Sequence, residues 1–293
     1  MSKLITPSSM YIESIYQFSL TNPSFENKQD IRLNKYLRPL FKVENYYNGP
    51  VSEASYENKL STLALKSRDF TFDIPMDKKN KIYDCLVYAQ STPNYRSLNS
   101  PLAYILNHTS INTKKVLGIT HLDNAAGIEA LILGSHYIKS NALIIMTENV
   151  ISSILPAHGM NLGHATVGLE LSNKKGIKVE SMISFTTDSD FYEDTNSFIK
   201  ELTEAYFSFA SHNKAVDKII IQNSLSGYLF ANERFEVNDF YIREENNTVD
   251  FQSSDIWLSL QEFLIKNESK NACINMITTN FRHKVCMCSI RIL

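Results

Sequence analysis

The sequence predicts a mixed α/β fold assembled from two similar halves. Three observations predict it. Apolar segments of strand length alternate with longer segments of helical period. The order strand, helix, strand, then two strands in succession occurs twice along the chain. The chain has 293 residues, enough for one large domain or two packed halves. No obvious sequence repeat accompanies the repeated order. The seam is placed near Ser172, giving an N-terminal half of residues 1–172 and a C-terminal half of residues 173–293.

Met10–Phe18 reads as a strand and Tyr56–Lys66 as a helix. Ile82–Ala89 is a buried strand, with Ser91-Thr-Pro-Asn94 as its turn. Pro101–Asn107 reads as a short helix. Val116–Leu122 is apolar on both faces, as a parallel strand must be. Asp123 or Asn124 can cap the helix that follows. Residues 125–139 are apolar nearly all round, so that helix is expected to be buried and to close at Ser140-Asn141. Ala142–Thr147 completes a right-handed βαβ unit. Leu162–Leu171 and Ile177–Phe185 are expected to pair through Ser172-Asn-Lys-Lys-Gly176. A helix over about 195–212 carries Phe198, Leu202, Tyr206 and Phe209 at helical spacing. Val216–Gln222 is a strand, Asp255–Lys266 a helix, and Ala272–Thr278 and Lys284–Leu293 the closing strands.

Composition narrows the function classes. A formal net charge of −2 offers nothing to recruit nucleic acid or an anionic membrane. The longest apolar runs fall well short of a membrane span, and the N-terminus lacks the pattern of a signal peptide. Cys85, Cys273, Cys286 and Cys288 have neither disulfide-framework nor zinc spacing, which fits a reducing cytoplasm. Cys286 and Cys288 sit on alternate residues of a terminal strand. That would allow a two-sulfur metal site, while burial as small hydrophobes is the plainer reading. No metal and no cofactor is expected.

Val116-Leu-Gly-Ile-Thr-His-Leu-Asp-Asn-Ala-Ala-Gly-Ile-Glu-Ala-Leu131 has the shape of a nucleophile site: a buried strand running into a helix start, where unpaired backbone N–H groups favour a thiolate. The residue at the junction is Asn124. In these segments the chain resembles the thiolase superfamily, most closely its ketoacyl-acyl-carrier-protein synthase III branch. Leu86-Val-Tyr-Ala-Gln-Ser-Thr-Pro-Asn94 looks like that family's strand ending in a Ser/Thr-Thr-Pro turn. Asp123-Asn-Ala-Ala-Gly-Ile-Glu-Ala-Leu131 with Lys139-Ser-Asn141 matches the spacing of its Ala-Cys-x-Gly-x-x-x-Ala-Leu motif, and puts Asn124 at the Cys. Gly163-His-Ala-Thr-Val-Gly-Leu-Glu-Leu171 resembles its Gly-Asp-Gly-Ala strand, with His164 where the acid stands. Ile219-Ile-Ile-Gln-Asn-Ser224 puts Gln222 at the family His, and Val249-Asp-Phe-Gln-Ser-Ser-Asp255 puts Asp250 at the family Asn. The family's Gly-rich loop near the end reads Thr278-Thr-Asn-Phe-Arg-His283 here, with no Gly.

The resemblance implies a thiolase-like five-layer α-β-α-β-α fold. It also implies a site made of Asn124, Gln222 and Asp250 that has lost its chemistry. Decarboxylative condensation needs a thiolate to take the acyl group and neutral donors to hold the enolate. Asn124 cannot carry a thioester, Gln222 cannot shuttle a proton, and an ionised Asp250 would repel an enolate. Loss of one oxyanion donor alone costs roughly 2.7–4 kcal/mol in other enzymes. In the family, the strand before the Cys helix lies at the sheet edge and pairs with a second subunit. Here that strand is 116–122. The expectation is therefore a noncatalytic subunit supporting an active ketosynthase III-like partner through strand 116–122, with acyl-carrier protein as a further partner. An acyltransferase or hydrolase using His121, His164 or Asp250 as base, and an acyl-chain or carrier-protein binding module, are the alternatives.

Plainer readings stand beside these. Asn124 can serve as nothing but an N-cap. His121, His158 and His164 each fit a hydrogen-bonded structural role. Asp123 and Glu129 are six residues apart and do not share a helix face. The aromatic residues of 198–209 belong to a core before a ligand box. Gly159-Met-Asn-Leu-Gly163 has too little Gly for a phosphate loop, and Glu244-Glu-Asn-Asn247 reads as a solvated turn.

Overall fold

The computed structural model describes residues 4–18, 81–91, 102, 105–106, 111–120, 122–148, 161–162, 165–213, 215–244, 247, 249–267 and 271–293. Its strands are β1 (Tyr11–Phe18), β2 (Ile82–Tyr83), β3 (Cys85–Gln90), β4 (Asn112–Thr113), β5 (Val116–Thr120), β6 (Asn141–Glu148), β7 (Asn161–Leu162) and β8 (Ala165–Ser172). They continue with β9 (Ile177–Thr186), β10 (Lys218–Ile221), β11 (Phe240–Tyr241), β12 (Val249–Asp250), β13 (Cys273–Thr279) and β14 (Lys284–Arg291). The α-helices carrying the argument are α1 (Ala126–Ser135), α2 (Thr195–Ser211), α3 (Ser226–Phe230) and α4 (Asp255–Lys266).

Ten strands are hydrogen-bonded in the order β11-β10-β13-β14-β9-β1-β8-β6-β3-β5. The order hides a duplication. From its middle outwards, the N-terminal set runs β1, β8, β6, β3, β5 and the C-terminal set runs β9, β14, β13, β10, β11, the same permutation of chain order. The pairings also match. The first two in each set are antiparallel and the last two parallel. The sets meet where β1 pairs with β9, through Tyr11–Lys178 and Ile12–Ile177.

Side-chain alternation sorts each set into two faces. On β3 and β6, Val87, Ala89, Ile144 and Met146 join a central core, while Leu86, Tyr88, Leu143 and Ile145 pack outwards with Ile105 and Ile111. On the other set, Ile220, Ile274, Met276, Cys286 and Cys288 face the same central core, and Ile219, Ile277, Val285 and Met287 pack under α2. Helices α1 and α4 fill the middle, touching strands of both sets. The layers are the helical residues 102, 105 and 106, the N-terminal strands, α1 with α4, the C-terminal strands, and α2 with α3. Phe198, Leu202, Tyr206 and Phe209 are outer core, as their spacing predicts. Gly127 packs against the entrance of α4. A Cβ there would lie 2.4 Å from the Ser253 carbonyl oxygen and 2.8 Å from Trp257 Nε1.

Three expectations need correction. The strands on either side of 172–176 do not pair, because β1 lies between β8 and β9. Gly176 makes room for it: at φ +123° its missing Cβ would stand 2.2 Å from the Ile12 carbonyl oxygen. A strand from the far N-terminus invades, which no local pattern announces. The first central helix stops at Ser135 rather than 139, with His136 as its C-cap in right-handed helical conformation. Asn141 then opens β6 instead of taking a left-handed cap. Asp84 drives this. Its Oδ2 accepts the backbone N–H groups of Lys139, Ser140 and Asn141 at 3.0, 2.7 and 3.2 Å, drawing the chain out of the helix. Burial works against its charge, but Lys114 and those amides hold its carboxyl well below the usual range. Thirdly, the expected strand over 82–89 is broken into β2 and β3 at that residue.

Among the described residues, strand β5 is at the end of the order and pairs only with β3, so there the 116–120 backbone lies at the sheet edge, where it is partly exposed. The expected helix at 56–66 and the turn beyond Ser91 lie outside the described residues. Among the described residues, no helix is long and apolar enough to cross a membrane.

Candidate functional site

Each central helix is entered through a left-handed residue. Asp123 has φ +43° ahead of α1, and Gln252 has φ +49° ahead of α4. Residues with a Cβ disfavour this conformation, so their surroundings must hold them there. Each begins a short 3-10 turn, Asp123–Ala125 and Gln252–Ser254, and the two turns pack against each other.

Asn124 sits in the first turn and is buried. Its side chain caps nothing: neither the 3-10 turn nor α1 has a side-chain cap bond. The plain N-cap reading is therefore corrected. Its amide points the other way, with Nδ2 donating to Asp250 Oδ1 at 2.9 Å and Oδ2 at 3.1 Å. A carboxylate is a stronger acceptor than a backbone carbonyl, and β12 places one here.

Asp250 ends β12 and is fully buried. Besides Asn124 it accepts the Gln252 N–H at 2.6 Å on Oδ1 and the Ser224 hydroxyl on Oδ2. Ser224 lies in the 3-10 turn that follows β10, and its Oγ accepts Gln222 Nε2 at 3.1 Å. Gln222 Oε1 accepts the Thr279 backbone N–H at 2.7 Å, tying the chain of bonds to the end of β13. The structure thus brings Asn124, Asp250 and Gln222 into one hydrogen-bonded line with Ser224 as its link. Burial, with Asp255 nearby, pushes the Asp250 carboxyl up to about 7, against the pull of Ser224, Gln252 and Asn124.

Asp255 begins α4 and forms a buried ion pair with Arg243 at 2.9 Å. Arg243 also donates to the Val249 carbonyl at 3.0 Å, and Asp255 Oδ2 accepts the Asn223 N–H at 2.7 Å. The pair pins both segments that carry the site, the turn after β10 and strand β12. A further buried carboxyl, Glu148 at the end of β6, lies against Ser91 and Ser253. Sequence reasoning missed these groups. Glu148 had a signal, as the charge that ends a continuous apolar strand. Ser224 and Arg243 had none.

The remaining candidates disperse. Asp123 is pushed up to about 6 by burial, against Arg282. Glu129 instead pairs with Lys284 at 2.6 Å. Cys286 and Cys288 pack in the central core, and burial raises both thiols, Cys286 to about 12. The loop that the resemblance makes Gly-rich holds Phe281 at φ +56°, buried edge-to-face on Phe191 at 4.9 Å. The backbone keeps the conformation that suits Gly, while the side chain anchors the loop. His121, His158 and His164 lie outside the described residues, as do Gly159 and Gly163.

Chemically, the line is poor in reactive groups. The amides of Asn124 and Gln222 both donate inward, to Asp250 and Ser224. Among the described residues no cluster of three or more His, Cys, Asp or Glu could hold a metal ion.

No protein-family model and no curated protein sequence matches the chain. Solved structures do. The 3-oxoacyl-(acyl-carrier protein) synthase of Burkholderia xenovorans LB400 is 13% identical at a TM-score of 0.63, covering 99% of this chain and 96% of its own. The 3-oxoacyl-(acyl carrier protein) synthase III, FabH, of Xanthomonas oryzae pv. oryzae is 10% identical at 0.61, covering 98% and 100%. ChlB3, described as an acyltransferase, is 11% identical at 0.63, covering 97% and 98%. At such identities the likeness shows architecture and leaves chemistry to the residues. The chain has the α/β fold of the thiolase superfamily, in the form of the ketoacyl-acyl-carrier-protein synthase III enzymes.

Proposed function

We propose that this chain is a noncatalytic ketosynthase III-like subunit of the cytoplasm. In this reading it supports an active ketosynthase partner in fatty-acid, polyketide or other specialised-metabolite biosynthesis. Residues 1–172 and 173–293 are its two halves. One observation carries the reading: the residue at the helix entrance is an amide already bonded to Asp250, where a condensing enzyme needs a free thiolate. The edge position of β5 supports the partner. An open strand edge invites pairing, and β5 stands at the end of the strand order. Acyl-carrier protein is the further partner the reading includes.

Co-expression with a Cys-His-Asn-bearing ketosynthase III encoded beside it tests the proposal by native mass spectrometry. A one-to-one complex is expected. A homodimer that persists in the presence of that ketosynthase overturns it.

One contact favours a second reading, an acyltransferase or hydrolase with Asp250 as base: the Ser224 hydroxyl donates directly to that carboxylate. Turnover of acyl-coenzyme A that disappears in Asp250→Asn would establish it. The absence of turnover above background removes it.

A further inference from the structure

An asparagine stands in the middle of β13, among the apolar residues that pack under α2. Asn275 lies two residues before Ile277 and so shares its side of the strand. It is fully buried. Its neighbours across the sheet are Ile219 on β10 and Ser289 on β14. An amide carries two N–H donors and a carbonyl acceptor. Among the described residues, neither Asn275 Nδ2 nor Oδ1 has a hydrogen-bond partner. A buried amide held in that way loses its hydration and gains no bond in exchange. Native cores rarely tolerate that.

The polar groups around it fall into two sets. Ser181, opposite Ser289 on β9, donates to Asn213 Oδ1 at 2.9 Å, and Asn213 Nδ2 donates to the Phe209 carbonyl at 3.1 Å. Those bonds close on the end of α2. The second set stays open. Ser289 Oγ lies 3.6 Å from Cys273 Sγ, a weak partner that leaves the hydroxyl capacity for another bond. Tyr206 comes from α2. Burial pushes its phenol up to about 12, against the pull of Asn275, so the two groups are near enough to interact. The amide nevertheless makes no direct hydrogen bond to it. Two polar groups that feel each other without bonding are the setting in which water bridges.

We propose that Asn275, Tyr206 and Ser289 form a binding site for internal water, which ties α2 to the C-terminal strands. The unmet groups select the ligand. An anion would serve only the N–H groups and a cation only the carbonyl, whereas the amide leaves both kinds open. Water both donates and accepts. The apolar residues of this layer, Ile219, Ile277 and Met287 among them, offer an ion no counter-charge. The site faces α2, on the other side of the C-terminal strands from the central helices. It does not rest on the function proposed above.

A crystal structure of the full chain that resolves ordered water tests the site. Density for water within hydrogen-bond distance of the Asn275 amide and of Tyr206 Oη is expected. An amide bonded directly to protein groups overturns the proposal, and so does an amide enclosed without water density. A double-mutant cycle of Asn275→Leu and Tyr206→Phe reads the same site in solution. Groups that share a water are coupled, so Y206F should lower Tm by less in N275L than in the unsubstituted chain. Decreases that simply add overturn the shared water.

Discussion

Replacing Asn124 by Asp turns a donor into an acceptor at 2.9–3.1 Å from Asp250. Two ionised carboxylates about 3 Å apart would repel by about 5 kcal/mol at an effective dielectric constant of about 20. The folded variant avoids this by sharing one proton between them. Both carboxyls of the unfolded chain are ionised above about pH 5. The folded state therefore keeps a proton that the unfolded state lacks. Its stability falls by about 1.4 kcal/mol per pH unit. The unsubstituted chain follows the same slope only up to about 7, where Asp250 gives up its own proton. The stability gap between the two proteins should hence open above neutrality, reaching about 2–3 kcal/mol by about pH 9. The ceiling is the repulsion of about 5 kcal/mol. Urea unfolding across this range measures it. The swapped pair N124D/D250N restores one amide and one carboxylate and should recover most of the loss. A gap equally wide at mildly acidic and alkaline pH, with no rescue by the swap, would refute the contact.

Gly127→Ala should cost about 1–3 kcal/mol, because the Ser253 backbone and Trp257 leave no space for a Cβ; the urea midpoint should fall at unchanged m-value. Arg243→Met leaves Asp255 buried without its cation and should cost about 3–5 kcal/mol by the same measurement, with partial recovery in R243M/D255N. Asn124→Cys would place a thiol against the Asp250 carboxylate, which disfavours the thiolate. Alkylation by iodoacetamide, followed by intact mass, should run about tenfold or more slower than in N124C/D250N.

Much of the frame was legible because it is local. The apolar strands 142–147 and 116–122, the helix at 255–266 and the amphipathic spacing of 198–209 report their own periodicity, and the structure places an element at each. What escaped is nonlocal. The invasion of β1 between β8 and β9 depends on Gly176 meeting a backbone more than 160 residues earlier in the chain. The early stop of α1 depends on Asp84, some fifty residues before it. At the site, Asn124, Gln222 and Asp250 could be placed by resemblance to a spaced motif, and they do converge. Their wiring could not be read. Ser224 is the link between Gln222 and Asp250, and one serine in an Asn-Ser-Leu turn carries no mark of that role. The contact between Glu148 and Ser253 forms only where the two helix entrances are brought together.

The most direct test of the noncatalytic account is intact mass spectrometry of the full chain after incubation with acyl-coenzyme A and acylated carrier protein. The account predicts an unchanged mass, since the helix entrance offers an amide bonded to a carboxylate. A mass increase equal to the acyl group, mapped to any residue of the Asn124–Asp250–Ser224 line, would contradict it.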